Sequence, residues 1–127
     1  QFETLGFPYA PLAVANKYWP ASLSVVVDAT NVHKYLKVDR DSLPVRIPDS
    51  PELLKLLEHT GPLMTTSANH PGEPTATNIR QAMDYFGDNV DFYVDTGELG
   101  ERQPSTIIGF DADGKVIVYR EGAVKLA

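Results

Sequence analysis

The 127-residue chain contains no cysteine, which excludes disulfide bonds and thiolate chemistry. Its three histidines are scattered, which disfavours a zinc site. No apolar run approaches the roughly 18 residues that a membrane-spanning helix needs, and no basic-then-apolar signal segment opens the chain. These absences predict a soluble, cytoplasmic protein that does not associate with membranes.

Positive charge is also scarce, since 11 Lys and Arg face 17 Asp and Glu and give a net charge of −6. This balance opposes the broad basic surface of a dedicated nucleic-acid binder, so any anion site must be local. The length and the hydrophobic fraction of 43% fit one soluble domain. The chain opens on Gln1 and its first eight residues contain no convincing strand. We therefore expect residues 1–127 to form a single, partial domain.

The order of apolar patterns predicts an α/β fold with a mixed sheet. The clearest element is a helix that Ser50 caps, that Pro51 opens and that Gly61 ends. Pro44 in a short extended segment marks an edge strand or a strand start. The predicted elements are a helix over 11–18, a strand over 22–27, a polar connection over 31–41, an extended segment over 43–48, the helix from 51 to 61, a strand over 63–66, a helix capped by Thr77 and ending at Gly87, a strand over 90–94, and a hairpin of strands over 105–110 and 115–119.

The densest polar cluster follows the predicted strand over 63–66. Thr65, Ser67, Asn69 and Thr75 carry short, stiff donors and acceptors that suit a ligand with carboxylate, carbonyl or phosphate oxygens. Loops use the same residue types to bond their own backbone, so a capped turn explains the composition equally well. The cluster is a candidate ligand loop or a structural turn.

Two arginines and one serine lie at predicted strands. Arg46 stands among apolar residues, where a guanidinium needs an anionic ligand, a buried acid or the solvent face of an edge strand. Arg120 ends a strand just before a flexible Glu-Gly pair. Ser105 begins a strand after a proline and can present its hydroxyl to a ligand. Each is also ordinary for an exposed strand.

Two other site types fit poorly. Ser67, His70 and either Asp91 or Asp95 have the residue types of a hydrolase triad, but the Gly-x-Ser-x-Gly elbow is missing. No Gly-x-x-x-x-Gly-Lys-Ser/Thr loop is present, so any nucleotide is held without a P-loop.

Five short segments in order resemble the YrdC-like family. They are KYWP with LSVVV (17–27), DSLPVRIPD (41–49), TSAN with GEPT (66–75), PST (104–106) and REGA (120–123). The TSAN element is weak alone, but the five in order and at the family's approximate spacing are specific. The resemblance implies a YrdC-like twisted mixed sheet flanked by helices, here without its N-terminal strands.

The resemblance also implies an activity. Members of this family combine L-threonine, bicarbonate and ATP into threonylcarbamoyl-adenylate, for modification of tRNA, with Mg²⁺ accompanying the ATP. By matching motifs, ATP contacts are expected from Ser42, Ser67, Asn69, Thr75 and Arg120, and L-threonine contacts from Arg46, Thr65 and Ser105. Asn69 would either support the loop of Ser67 or reach the phosphates. No residue is assigned as a catalytic acid or base. Partners implied are tRNA or double-stranded RNA and other tRNA-modification proteins.

The chain departs from the family in two ways. The family's N-terminal part, with its lysine-x-arginine phosphate motif, has no counterpart here, so we expect the chain alone to be incomplete for catalysis. Glu121 replaces the proline that commonly follows the arginine, a change also seen in a divergent branch that resembles the YciO proteins. A YciO-like relative that binds nucleotide or double-stranded RNA without efficient synthase activity is the alternative.

Overall fold

The computed structural model describes residues 1–37 and 39–126. They form two compact units, one of Gln1–Met64 with Gln103–Ala127 and one of Thr65–Arg102. The first unit contains α1 (Phe2–Leu5), α2 (Tyr9–Asn16), β1 (Leu23–Asp28), α3 (Lys34–Lys37), β2 (Ser42–Val45), α4 (Pro51–Thr60), β3 (Thr106–Phe110) and β4 (Val116–Arg120). The second contains α5 (Ile79–Phe86) and a 3₁₀ turn (Gly87–Asn89).

The first unit is built on a four-stranded mixed sheet in the order β2-β1-β3-β4. β1 pairs antiparallel with β2 and parallel with β3, and β3 pairs antiparallel with β4. The sequence prediction of a mixed α/β sheet is therefore confirmed. Pro44 lies in β2 at the edge of the sheet, where a residue without an N–H costs no ladder bond.

One face of this sheet carries the core. Leu23, Val25 and Val27 alternate along β1 and are at most 3% exposed, and their neighbours Val45 and Ile108 are buried with them. The same cluster includes Phe7 with residues of α2 and of the segment after β1, namely Leu12, Ala15, Ala29, Val32 and Leu36. Because side chains alternate between faces along a strand, the intervening residues of β1 point to the opposite face.

The helix predicted after Ser50 is confirmed. The Ser50 hydroxyl accepts a hydrogen bond from the Leu53 N–H, Pro51 takes the first position, and Gly61 ends the helix with its N–H bonded to the Leu57 carbonyl. No residue of α4 is buried. Its boundaries could be predicted from the sequence because the capping serine, the proline and the glycine lie at the ends of the helix itself.

The strands predicted over 63–66 and 90–94 are wrong. Neither segment pairs with a strand in the part of the chain that the structure describes. The apolar side chains that motivated them are exposed, at 50% for Leu63 and 76% for Phe92. An extended segment becomes a strand only when a neighbour accepts its hydrogen bonds, and composition does not reveal the neighbour.

Three smaller expectations are corrected. The predicted helix over 11–18 begins and ends two residues earlier, as α2. The connection over 31–41 contains α3. Asn78, not Thr77, caps α5, because the Asn78 side chain accepts the Gln81 N–H at 2.9 Å. The Gln81 side-chain oxygen Oε1 accepts from the Thr77 N–H at 2.9 Å, so Gln81 makes the reciprocal bond back to the start of the helix.

None of the helices formed by residues 1–37 and 39–126 has the length and apolarity required to cross a membrane.

Candidate functional site

The sheet face opposite the core carries a line of polar side chains at one end. Val25 pairs with Val45, so Ser24 and Arg46, each one residue beyond that pair, share the other face. Ile107 pairs with both Ser24 and Arg120, which places Arg120 on this face too. We call Arg46, Ser24, Ser105 and Arg120 the polar row. Ser24 and Arg120 lie in β1 and β4, while Arg46 directly follows β2 and Ser105 directly precedes β3.

The centre of the polar row is held by hydrogen bonds. Arg120 donates from Nε and Nη2 to the Ser105 carbonyl, at 3.0 and 2.8 Å, and from Nη2 to the Ser105 hydroxyl at 3.0 Å. Ser24 Oγ lies 3.4 Å from Ser105 Oγ. Ser24 is only 9% exposed, whereas Arg120 is exposed. The guanidinium thus fixes the start of β3 and leaves a positive charge at the surface.

Sequence reasoning missed Ser24 as a member of this row. The available signal was a hydroxyl inside the apolar run of β1, a position where a buried polar group needs a hydrogen-bond partner. Ser105 supplies that partner across the parallel strand pair.

Arg46 lies at the other end of the polar row and is exposed. Of the settings that its sequence context allowed, the structure therefore shows the solvent-exposed one. A guanidinium on an exposed sheet face remains available to a carboxylate or a phosphate, which it can bind through two parallel hydrogen bonds.

Ser42 lies on the same face as Arg46, at the opposite end of β2. Four residue steps of about 3.3 Å separate them by about 13 Å along the strand. Ser42 pairs with Asp28, whose carboxylate accepts from the Thr30 hydroxyl and N–H, and these bonds, with Lys37 nearby, lower the pKa of Asp28. The Ser42 end of the face therefore carries a negative charge, and the Arg46 end a positive one.

Beside the polar row, Gly122 packs directly on the backbone that precedes β3. A Cβ at this position would lie 2.7 Å from the Ser105 carbonyl carbon and 2.8 Å from the Thr106 nitrogen. The Ala123 N–H bonds the Pro104 carbonyl at 3.0 Å. A shallow groove of about 270 Å³ is lined here by Gln103, Pro104, Glu121, Gly122 and Lys125.

In the second unit, the polar cluster forms a closed loop over residues 67–76. The Ala76 N–H bonds the Ala68 carbonyl at 2.8 Å and the Asn69 N–H bonds the Ser67 carbonyl at 3.1 Å. The Asn69 side chain donates to the His70 carbonyl at 2.8 Å and accepts from the Thr75 hydroxyl at 3.3 Å. We call residues 67–76 the polar loop. The contacts of Asn69 are those of a residue that supports the loop.

The exposed hydroxyls of this unit differ in the segment that carries them and in their hydrogen bonds. Ser67 and Thr75 are exposed on the polar loop, and Thr65 is exposed on the extended segment before it. Thr75 is oriented by Asn69. The loop is thus both a capped turn and a surface that presents hydroxyls, so the two interpretations of its composition are compatible.

The polar loop contacts α5 through aromatic side chains. Tyr85 donates its hydroxyl proton to the Pro74 carbonyl at 2.7 Å. The His70 ring meets the rings of Tyr85 and Phe86 edge-on, with centroid distances of 5.1 and 5.6 Å. This placement of His70 does not support the Ser67 hydrolase, since the imidazole packs on aromatic rings of α5.

Over residues 1–37 and 39–126, no three His, Asp or Glu side chains are grouped to hold a metal ion. The Mg²⁺ expected with ATP stays a prediction.

A mixed sheet with flanking helices, with two arginines and two serines along one end of one face, places the chain in the α/β class. Comparison with known proteins gives the family. The chain belongs to the Sua5/YciO/YrdC family, whose model, described as telomere recombination, matches residues 4–122.

Curated relatives include threonylcarbamoyl-AMP synthases. The chain is 36% identical to the enzyme of Pseudoalteromonas translucida over 91 residues, which cover 70% of this chain and 49% of the relative. It is 36% identical to the enzyme of Marinobacter nauticus over 104 residues, or 80% of this chain and 55% of the relative. The chain spans about half the length of the curated relatives it matches.

Solved structures show the same fold. A double variant of P. abyssi Sua5 matches with a TM-score of 0.81 at 26% identity, over 99% of this chain and 40% of that one. P. abyssi Sua5 complexed with L-threonine matches with a TM-score of 0.76 at 26% identity, over 96% and 38%. E. coli YciO matches at 24% identity with a TM-score of 0.71, over 98% and 62%, which is a likeness of fold. The YrdC-like fold expected from the five segments is confirmed.

Proposed function

We propose that this chain is part of a protein that makes L-threonylcarbamoyl-adenylate from L-threonine, bicarbonate and ATP, as a step in the threonylcarbamoyladenosine modification of tRNA in the cytoplasm. The observation that carries the proposal is the polar row, because its two arginines offer separate positive charges to a ligand with two anionic groups. Support comes from the 36% identity to named synthases and from the likeness to a Sua5 complexed with L-threonine.

In this proposal Arg46 binds the carboxylate of threonine. Its exposed guanidinium on the open sheet face can pair with a carboxylate through two N–H donors. Ser105, whose hydroxyl is oriented by Arg120, accepts or donates to the polar groups of threonine. Thr65 is assigned to threonine by the family resemblance alone.

ATP is bound by Arg120, Ser42, Ser67 and Thr75 in the same proposal. Arg120 offsets phosphate charge, although its Nε and Nη2 also hold Ser105. Ser42 contacts an uncharged part of the nucleotide, because it pairs with Asp28, whose carboxylate would repel a phosphate. Ser67 and Thr75 donate from the polar loop, while Asn69 holds that loop in shape.

The chemistry requires no covalent step on protein. The threonine amine and bicarbonate form a carbamate with loss of water, and a carbamate oxygen attacks the α-phosphate of ATP, from which pyrophosphate leaves. The protein aligns the reactants and stabilises developing negative charge, and Mg²⁺ would neutralise the phosphates that Arg120 does not reach. The chain spans about half the length of these relatives. We assign the remaining phosphate contacts to the lysine-x-arginine part that the family resemblance implies.

One residue favours a second candidate. Glu121 places a carboxylate directly after Arg120, next to the proposed phosphate position. A negative charge there disfavours the negative charge that develops at the reacting phosphate, which fits a YciO-like protein that binds nucleotide or double-stranded RNA without efficient synthesis. tRNA and tRNA-modification proteins are partners in the first candidate, and double-stranded RNA in the second.

The deciding experiment is ATP-pyrophosphate exchange with the full-length protein. Exchange that requires both L-threonine and bicarbonate is expected for the synthase. Binding of ATP or double-stranded RNA without such exchange would establish the second candidate and reject the first.

Arg46→Ala is expected to raise the KM for L-threonine about 10- to 100-fold, the effect of losing a hydrogen-bonded charge pair. The KM for ATP should change little. Arg80→Ala, which removes the same side chain from the exposed surface of α5, is the matched control and should leave both constants unchanged. An unchanged threonine KM in Arg46→Ala would remove Arg46 from the threonine site.

A further inference from the structure

The polar loop has little apolar support within its own unit. Every residue of Thr65–Arg102 is at least partly exposed, so burial of side chains does not fix the loop. Its shape depends on directional contacts instead. A loop with a solvent-exposed backbone and few buried side chains opens easily unless hydrogen bonds or ring contacts restrain it.

Tyr85 makes the one side-chain hydrogen bond found between α5 and the loop in the described residues. Its hydroxyl donates to the Pro74 carbonyl at 2.7 Å, one residue before Thr75. Thr75 in turn donates to Asn69, two residues after Ser67. A chain of contacts therefore runs from α5 through the loop to the hydroxyls proposed to bind ATP.

The ring of Tyr85 restrains the other side of the loop. It meets the His70 ring edge-on at 5.1 Å and 83°, and His70 also meets Phe86. Edge-to-face pairs of this kind favour one relative orientation of the rings. α5 is a capped helix, so Tyr85 projects from a rigid element.

We propose that Tyr85 is a positioning residue for nucleotide binding, which it supports by fixing the polar loop through Pro74 and His70. The expected effect on ATP binding rests on the proposed function, whereas the ordering of the loop by Tyr85 does not. Tyr85 itself contacts no reacting atom in this scheme. Its loss widens the range of positions that Ser67 and Thr75 sample, which weakens ATP binding and leaves the threonine residues of the first unit in place.

Tyr93 provides a matched control. It is half-buried in the same unit, like Tyr85, and its hydroxyl also donates to a backbone carbonyl at 2.7 Å, that of Gly87. That carbonyl follows α5 and lies outside the polar loop. Tyr85→Phe and Tyr93→Phe therefore each remove one hydrogen bond from a tyrosine hydroxyl to a backbone carbonyl. Only the bond lost in Tyr85→Phe reaches the polar loop.

The test compares the two variants in the full-length protein by ATP-pyrophosphate exchange. Tyr85→Phe is expected to raise the KM for ATP about three- to tenfold, the effect of one hydrogen bond, with kcat and the threonine KM within about twofold of wild type. Tyr93→Phe should leave the ATP KM unchanged. An unchanged ATP KM in Tyr85→Phe, or an equal rise in Tyr93→Phe, would overturn the inference.

Amide hydrogen exchange gives a readout without activity. The Glu73 and Ala76 N–H groups bond inside the polar loop and should exchange faster in Tyr85→Phe than in wild type or Tyr93→Phe. Equal exchange in all three proteins would show that Tyr85 does not order the loop and would overturn the inference. If wild-type protein lacks exchange of pyrophosphate, the proposed function and the role in ATP binding fail together, and the amide rates still decide whether Tyr85 fixes the loop.

Discussion

Gly122 shows how a single backbone position sets the geometry of the polar row. The chain passes so close to Ser105 and Thr106 that even a methyl group would meet their backbone atoms. The following residue bonds the Pro104 carbonyl. Arg120, two residues before Gly122, donates two hydrogen bonds to the Ser105 carbonyl. The close approach of the two segments and the orientation of the guanidinium therefore depend on each other.

Gly122→Ala is expected to lower the free energy of unfolding by about 3 kcal/mol, because backbone atoms cannot move aside as a side chain can. Gly114→Ala is the control: its φ of 77° strains an alanine, but no atom lies within 4 Å of the added Cβ. That strain costs about 1–2 kcal/mol. Urea unfolding of both variants measures the difference, and equal losses would show that the close approach relaxes easily.

At the scale of elements, the start of α5 is hydrogen-bonded to Glu98, in the segment that follows the helix in the same unit. Asn78 caps the helix through its side-chain oxygen and donates through Nδ2 to Glu98 at 2.9 Å. This bond, with contributions from Thr77 and the Gly100 N–H, lowers the pKa of Glu98 below its ordinary value of 4.5. The ionised carboxylate is thereby favoured in the folded protein.

Because the folded pKa of Glu98 is depressed, its contribution to stability is complete above pH 4.5 and is lost as the pH falls through the lower folded value. NMR titration of the Glu98 carboxyl carbon should show this depressed pKa. Asn78→Asp retains the capping oxygen but replaces the donor with an acid, so the pKa of Glu98 should rise relative to wild type. Titration of Glu98 at 4.5 or above in wild type would contradict the expectation.

Elements with local signals were predictable, and those that depend on a distant partner were not. α4 is set by Ser50, Pro51 and Gly61, all adjacent to it. The β3–β4 hairpin is similarly local, since the Asp111 side chain accepts from the Asp113 and Lys115 N–H groups in the turn. The segment over 63–66 has a strand-like composition but finds no ladder partner among the residues described, a fact that no local pattern contains.

The candidate site likewise has residues that the sequence identified and spatial relations that only the structure revealed. Arg46, Ser105 and Arg120 were identified from the sequence, and their sharing of one sheet face with Ser24 required the strand register. The hydrophobic pattern shows which face of a strand is buried, but it does not show that β1 and β3, which are far apart in the chain, become neighbours. The contact between Tyr85 and Pro74 was likewise hidden, since 11 residues separate them.

At the scale of the whole molecule, the two units differ in how they are stabilised. The first has a buried cluster centred on β1 and β3, with Val25 and Ile108 fully buried. The second has no buried residue. Family membership covers both, since the matched residues 4–122 include all of Thr65–Arg102.

Amide hydrogen exchange should follow this difference. The N–H groups of β1 and β3, each paired on both sides, are expected to exchange at least about tenfold more slowly than those of α5. Mass spectrometry of exchanged peptides from the two units measures the ratio. Comparable protection in α5 would mean that the second unit is stabilised by more than its hydrogen bonds.

The absence of buried side chains in Thr65–Arg102 also bears on how this chain tolerates substitutions. In the sheet unit, mutational damage concentrates at apolar positions. In the second unit the sensitive positions are the polar ones, such as Asn78, Tyr85 and Glu98, since their bonds supply the order that a core supplies elsewhere. Substitutions among the exposed apolar residues there should accumulate freely, while an amide or hydroxyl, once lost, has no packed neighbour to compensate for it.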